Sequence, residues 1–122
     1  MASAHTDPNC IFCKIVAGQI PSKQVHEDAD MPVFHDIAPW APVHFLMVPK
    51  KHLPSMVHVE PADAGLLGRM MNLAPRLAIE QGCRAYPEGG FRIVVNTGEE
   101  GGQEVHHLHI HVMGGPRPWL RG

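Results

Sequence analysis

A chain of 122 residues with a formal net charge of −2 is long enough for one hydrophobic core and short for two. The near-balance of charge offers no basic platform for nucleic acid, and no run approaches the 18 apolar residues that a membrane-spanning helix needs. Three cysteines, an odd number, argue against a disulfide framework and suit a reducing cytoplasm, and the polar opening residues lack the apolar centre of a secretory signal.

Twelve prolines and twelve glycines imply many turns and short elements rather than a helical bundle. Residues 1–8 read as a loose polar tail ahead of a single domain over 9–122. Asn9–Gly18 (NCIFCKIVAG) predicts a short helix, with Asn9 as N-cap, Gly18 at the stop, and Ile11, Phe12, Ile15 and Val16 on its apolar face. Gln24–Glu27 begins a strand. Met31–Asp36 and His44–Pro49 predict two more, joined by Ala38-Pro39-Trp40-Ala41-Pro42, whose two prolines stiffen the connection and leave few backbone donors.

From Pro61, a first-turn residue, Leu66, Met70, Leu73 and Leu77 recur at spacings of four, three and four, the pattern of an amphipathic helix packed on a sheet. Pro75 inside it should kink or divide it. Cys83 after the helix reads as a plain buried thiol. Phe91–Asn96 and Val105–Met113 predict an antiparallel hairpin across the turn Thr97–Gly102, which places Asn96 beside the histidines. From about Gly114 the sequence is too rich in glycine and proline for a regular element. The fold class is α+β, with a mainly antiparallel sheet.

The ten histidines are clustered, and His107, His109 and His111 alternate with Leu108, Ile110 and Val112. That period of two predicts one strand with three imidazoles on a single face, roughly 6–7 Å apart. Such a face suits nitrogen nucleophiles, proton carriers or metal ligands converging on one small target. Cys10 and Cys13, as a Cys-x-x-Cys pair, suggest a redox pair or half a zinc site; the βαβ context of a thioredoxin-like pair is absent, and two metal-free helix-face cysteines are the simple alternative.

The run His107-Leu108-His109-Ile110-His111-Val112-Met113 resembles the signature of the histidine-triad (HIT) superfamily. The segments Cys10-Ile11-Phe12-Cys13-Lys14-Ile15, Phe34-His35-Asp36-Ile37-Ala38-Pro39, Ala41-Pro42-Val43-His44-Phe45, Pro49-Lys50-Lys51-His52, Val94-Val95-Asn96 and Gly101-Gly102-Gln103 resemble its Hint branch, as does Gly114-Gly115. The resemblance spans about residues 9–115. It implies a HIT-like fold with a five-stranded sheet, one long helix and a short N-terminal helix, and a homodimer across which the sheet continues.

By that resemblance the substrates are purine nucleotides: nucleoside 5′-phosphoramidates and acyl- or aminoacyl-adenylates, hydrolysed to AMP or another nucleotide. The alternatives are a dinucleoside polyphosphate hydrolase, a nucleotidyl transferase, or a nucleotide-sensing module with vestigial activity. His109 matches the nucleophile, His111 the group that binds phosphoryl oxygens and assists the leaving group, and His107 and His44 the supporting histidines. Asp36 and Ile37 match the ribose and base contacts, and Asn96 with the backbone of Gly102, Gln103 and Glu104 matches the phosphate or leaving-group contacts. The chemistry needs no metal. Cys10, Cys13, His52 and His107 resemble the structural zinc set of some bacterial relatives. Glu104 departs from the serine of eukaryotic Hint proteins, and His106, aromatic in relatives, reads as a surface residue. Trp119 is either a contact to the partner subunit's site or a plain surface aromatic.

Overall fold

The computed structural model describes residues 6–120. The polar tail expected over residues 1–8 lies outside them as far as residue 5. Elements follow the order α1 (Ile11–Val16), β1 (Gln24–Glu27), β2 (Pro32–His35), β3 (Val43–Met47), α2 (Ala64–Glu80), β4 (Phe91–Val94) and β5 (Ile110–Gly114). The strands form one antiparallel sheet in the order β1-β2-β3-β5-β4. Two short 3₁₀ turns, Met56–His58 and Pro61–Asp63, lead into α2.

Strand alternation divides the core between the two faces of the sheet. Val33, Phe45, Met47, Ile110 and Val112 point to one face and pack beneath Met70, Ala74, Leu77 and Ala78 of α2. Phe34, Leu46 and Val48 point to the other, against Cys10, Phe12 and Cys13 around α1. The helix stripe follows the expected period, with Leu66 and Leu73 at its margin. Burying side chains such as Met70 and Leu77 contributes about 1.5–3 kcal/mol each.

Three expectations are corrected. Pro75 does not divide α2, which runs unbroken through it. It sits on the exposed side of the helix, as does Met71, whose carbonyl it leaves without a helical donor. The N-cap of α1 is Cys10, not Asn9: the Cys10 sulfur accepts from the Cys13 N–H at 3.4 Å, and Ile11 is left outside the apolar face. Gly18 follows the helix end at φ +76°, a conformation glycine adopts freely.

The third correction concerns the histidine strand. β5 begins only at Ile110, so His107 lies in a bend over 105–107, His109 in the irregular stretch between that bend and the strand, and His111 alone stands in a ladder. The partner strand explains the boundary. Ile110 pairs with Met47, and two residues beyond Met47 comes Pro49, which has no N–H to continue the ladder. This part of the chain is held by other bonds instead: Leu108 N–H donates to the Leu53 carbonyl at 2.6 Å, and the His107 ring to the Pro49 carbonyl at 2.7 Å.

Candidate active site

The face of the sheet turned away from α2 carries the histidines. In the β3–β5 ladder His111 stands opposite Leu46, and His44 is two residues away on the same side of β3. Diagonal neighbours across an antiparallel pair are within reach of each other's rings, and His44 Nε2 lies 3.0 Å from His111 Nδ1. His109 completes the group, its ring centroid 4.9 Å from that of His111. The Phe12 ring stands edge-on to His109 at 5.1 Å and to His107 at 5.9 Å.

Hydrogen bonds assign the protons. His109 Nδ1 is 2.7 Å from the His107 carbonyl oxygen, which can only accept. Nδ1 therefore holds the proton, and Nε2 keeps a free lone pair. His44 is fixed in the opposite sense: the backbone N–H of Trp40 donates to His44 Nδ1 at 3.0 Å, so a neutral His44 carries its proton on Nε2. That proton faces His111 Nδ1 at 3.0 Å and Asp36 Oδ2 at 3.4 Å. His111 Nδ1 accepts, and His111 Nε2 holds a proton. One imidazole offers a lone pair while its neighbour offers an N–H.

Burial keeps these rings neutral. It lowers His109, against weaker pulls upward from the Asp36 and Glu104 carboxylates. It pushes His111 down to about 4, helped by His109 and His44 and opposed by Asp36. His44 is likewise lowered by burial and raised by Asp36.

Asp36 and His44 also border an open cleft of about 770 Å³ that runs past Lys23, Ile37, Pro39 and Pro42. Asp36 Oδ1 accepts from the Ala38 N–H at 2.8 Å, which holds the carboxylate at the rim. The Ile37 side chain is fully exposed there.

On the other side of His107 lies a second cluster. Its Nε2–H donates to Pro49, leaving the Nδ1 lone pair facing Cys10 Sγ at 3.3 Å, Cys13 Sγ at 3.6 Å and His52 Nδ1 at 3.1 Å. Cys13 Sγ is 3.2 Å from His52 Nδ1. Tetrahedral zinc with ordinary Zn–S and Zn–N bonds places its ligands about 3.3–3.8 Å apart, close to these separations. The backbone N–H groups of Asp7 and Cys13 point at the sulfurs of Cys13 and Cys10. Burial pushes the Cys13 thiol up, and Cys10 beside it adds to this, so a cation among the four would offset the cost of thiolates there. These four residues fit a metal ion.

Asp36, His44 and His111 also lie close enough together to suggest a metal. They fit poorly: the Trp40 N–H occupies His44 Nδ1, so its Nε2 is protonated and has no lone pair to give.

Residues 9–119 match the family described as scavenger mRNA decapping enzyme C-term binding. Protein HitA of Neisseria gonorrhoeae is 50% identical over 108 residues, 88% of this chain and 97% of its own. The purine nucleoside phosphoramidase of Escherichia coli K12 is 40% identical over 105 residues, 86% of each chain. The crystal structure of a HIT family hydrolase from Legionella pneumophila Philadelphia 1 superposes with a TM-score of 0.83 at 42% identity, covering 89% of this chain and 95% of that one. The chain belongs to the histidine-triad (HIT) family.

Within this HIT protein, His44, His109, His111 and Asp36 come together, while His107 faces the cysteines and touches His109 through its carbonyl. The loop before them is built around Gln103. Its Oε1 accepts from Gly98 N–H at 2.9 Å, and its Nε2 donates to the carbonyls of Pro54 at 2.6 Å and Val105 at 3.0 Å. Gly102, at φ +82°, lets the backbone turn; its N–H bonds Glu99 and that of Gln103 bonds Gly98. Both donors are used inside the turn, and the Glu104 N–H is not. Asn96 lies half-buried two residues beyond Val94, which pairs with His111. Glu104 and His106 are exposed.

Sequence reasoning misses two contributors. Phe12 reads as core, yet its edge contacts set the walls around His107 and His109. Trp40 acts through its backbone N–H, for which side-chain identity gives no signal. No helix among the described residues is long and apolar enough to cross a membrane.

Proposed function

We propose that this protein hydrolyses purine nucleoside 5′-phosphoramidates and acyl- or aminoacyl-adenylates, releasing AMP or another nucleotide, through a covalent bond to His109. The observation that carries this reading is the pair of opposed tautomers, an Nε2 lone pair on His109 beside an Nε2–H on His111. The likeness to a purine nucleoside phosphoramidase over most of both chains supports the substrate class.

In this reading the base lies along Ile37 and the ribose hydroxyls donate to Asp36. The α-phosphorus sits before His109, near the N–H of Glu104 and the side chain of Asn96. His109 Nε2 attacks in line, a P–N bond to the ring forms, and the bond to the leaving amine or acyl oxygen breaks. The His111 Nε2–H donates to an equatorial oxygen or to the departing atom as charge develops there. His109 keeps its Nδ1 proton, so the adduct is a phosphorylated imidazolium, which leaves far more easily than a neutral azole. Water then attacks phosphorus, the P–N bond to the ring breaks with its electron pair returning to His109 Nε2, and the water's proton passes to His111 Nε2, replacing the one that left with the leaving group.

Cys10, Cys13, His52 and His107 would hold a zinc ion. With four protein ligands and no open position its role is structural, fixing His107 and α1 beside the nucleophile. A homodimer is supported by the sheet's outer edge at β4, a strand that pairs only with β5 among the described residues. A second copy added there would extend the sheet, and light scattering after gel filtration tests it.

Incubation with adenosine 5′-phosphoramidate tests the activity. Wild-type protein is expected to release AMP and His109→Ala to release none; turnover retained in the variant would remove His109 as nucleophile.

A further inference from the structure

The tautomer of His44 is set on one nitrogen by the backbone N–H of Trp40 and favoured on the other by Asp36 Oδ2 at 3.4 Å, and the segment that follows β5 holds the Trp40 peptide from its other side. The Trp40 carbonyl accepts from the Leu120 N–H at 2.7 Å, while its N–H donates to His44 Nδ1 at 3.0 Å. The Trp40 ring also stands edge-on to His44 at 6.2 Å. The Ala38–Pro42 connection contains two prolines, which have no N–H to brace it with.

The terminal segment is itself anchored. Gly115 follows β5 at φ +103° and lies so close to Pro42 that an added Cβ would meet the proline ring at 2.8 Å. Trp119 donates its indole N–H to the Gly115 carbonyl at 2.9 Å. The guanidinium of Arg117 lies 3.6 Å from the Trp119 ring centroid, and that of Arg92, on β4, lies 5.3 Å from it. Both cations are drawn to the electron-rich face of the indole and help to hold it in place. The segment thus grips the Ala38–Pro42 connection at Pro42 and at Trp40.

From this arrangement we infer that Trp119 and Leu120 are positioning residues for the histidine cluster, acting through the Trp40 peptide. The order of events is mechanical. Leu120 fixes the plane of Trp40, Trp40 keeps a donor on His44 Nδ1, and His44 therefore gives its Nε2–H to His111 Nδ1. His111 is left with its proton on Nε2, where the phosphoryl group needs it. If the Trp40 peptide turned away, His44 would be free to protonate Nδ1, and its Nε2 would accept from His111 instead. The His111 proton would then sit on Nδ1, facing His44 and not the substrate. The Leu120 side chain is exposed, so its contribution lies in the backbone. The inference rests on the proposed reading of His111 as the phosphoryl-side donor, but the tautomer it fixes can be observed without substrate.

The test is Leu120→Pro, which removes the N–H and nothing else that is buried, with Leu120→Ala as the conservative variant that keeps it. Ring ¹⁵N shifts of histidine-labelled protein report which nitrogen of His44 and His111 carries the proton. Wild type and Leu120→Ala are expected to show Nε2-protonated His44 and the same kcat on adenosine 5′-phosphoramidate. Leu120→Pro is expected to show mixed tautomers at both rings and roughly tenfold lower kcat with little change in KM, well inside what one general acid–base group supplies. Trp119→Ala, which loosens the anchor without touching the amide, should move both readouts in the same direction and serves if Leu120→Pro fails to fold. Wild-type ring shifts in a folded Leu120→Pro, or a change confined to KM, would overturn the inference. If wild type does not turn over this substrate yet the ring shifts move, the proposed activity fails and the positioning role stands.

Discussion

The His107 carbonyl oxygen accepts a hydrogen bond from the His109 Nδ1–H at 2.7 Å, while the His107 ring turns its own Nδ1 towards two cysteines and His52. One residue therefore closes the candidate metal cluster with its side chain and sets the tautomer of His109 with its backbone. The two sites share a wall, and a disturbance of either reaches the other through His107 or through Phe12, whose ring touches both histidines.

The first prediction concerns the adduct. In a rapid quench with a labelled nucleoside phosphoramidate, the nucleotidyl group should be found on the peptide containing His109 and should be acid-labile. His109→Ala should lose at least about a thousandfold in turnover, as expected when covalent catalysis is removed. Label on another histidine would move the nucleophile.

Protein purified without chelator is expected to hold about one zinc per protomer, measured by elemental analysis, and Cys13→Ser to hold far less. Because a closed four-ligand site adds its binding free energy to folding, chelation should lower Tm by several degrees. It should also reduce kcat, since the His107 carbonyl loses its fixed place. Metal-free protein with an unchanged Tm would count against the cluster as a zinc site.

Helix α2 is legible because burying one face imposes a period of about 3.6, and β2 and β3 are legible as short apolar runs bounded by prolines, since both of their faces are covered. The pairing of His109 with His111 is legible too, though the start of β5 is not, because it is set by Pro49 on another strand. Pro75 misleads for a related reason: the conflict it creates depends on which face of the helix it occupies, and the exposed face tolerates it. The N-cap of α1 goes to Cys10, whose sulfur reads from the sequence only as a ligand. Most of all, the proton order in the site depends on backbone groups of His107, Pro49 and Trp40. A backbone N–H or C=O is present at almost every position, so no residue type reveals which of them a fold will aim at a ring.

The pH dependence follows from the lowered histidines. An unfolded histidine titrates near 6.5, whereas burial pushes His111 down to about 4. As pH falls between these values the unfolded state binds a proton that the folded state refuses. Stability is therefore lost as pH falls from about 6.5 towards 4, an effect that His111 shares with the neighbouring His109 and His44. Chemical denaturation at a series of pH values checks it. The acid limb of kcat/KM should also lie below 6.5, because burial lowers both His109 and His111.

Gln103→Ala should loosen the loop that precedes the histidines. The substitution removes one acceptor from Gly98 and two donors from Pro54 and Val105, leaving those groups unpaired in a half-buried place. A cost of about 2–3 kcal/mol is expected, together with faster amide exchange over residues 97–105. Gln103→Glu keeps the acceptor but turns a carboxylate oxygen towards the Pro54 and Val105 carbonyls, so it should not restore the stability at neutral pH.

Glu104 sets the last prediction. It is exposed, yet near enough for its carboxylate to pull the His109 pKa upward against burial. A negative charge at that distance opposes a phosphoryl group gaining charge, unless the leaving group brings a positive one to face it. An amine or an aminoacyl group carrying an ammonium does so; a neutral alkyl amine or an ester does not. Glu104→Ser should therefore raise kcat/KM for neutral leaving groups relative to cationic ones. An exposed charge pair contributes at most about 1 kcal/mol, so the ratio should move by about two- to fivefold, and added salt should shrink the difference in wild type but not in the variant. A ratio that stays fixed across amines and esters, at low and high salt, would show that the carboxylate points away from the leaving group and that its charge has no part in the choice of substrate.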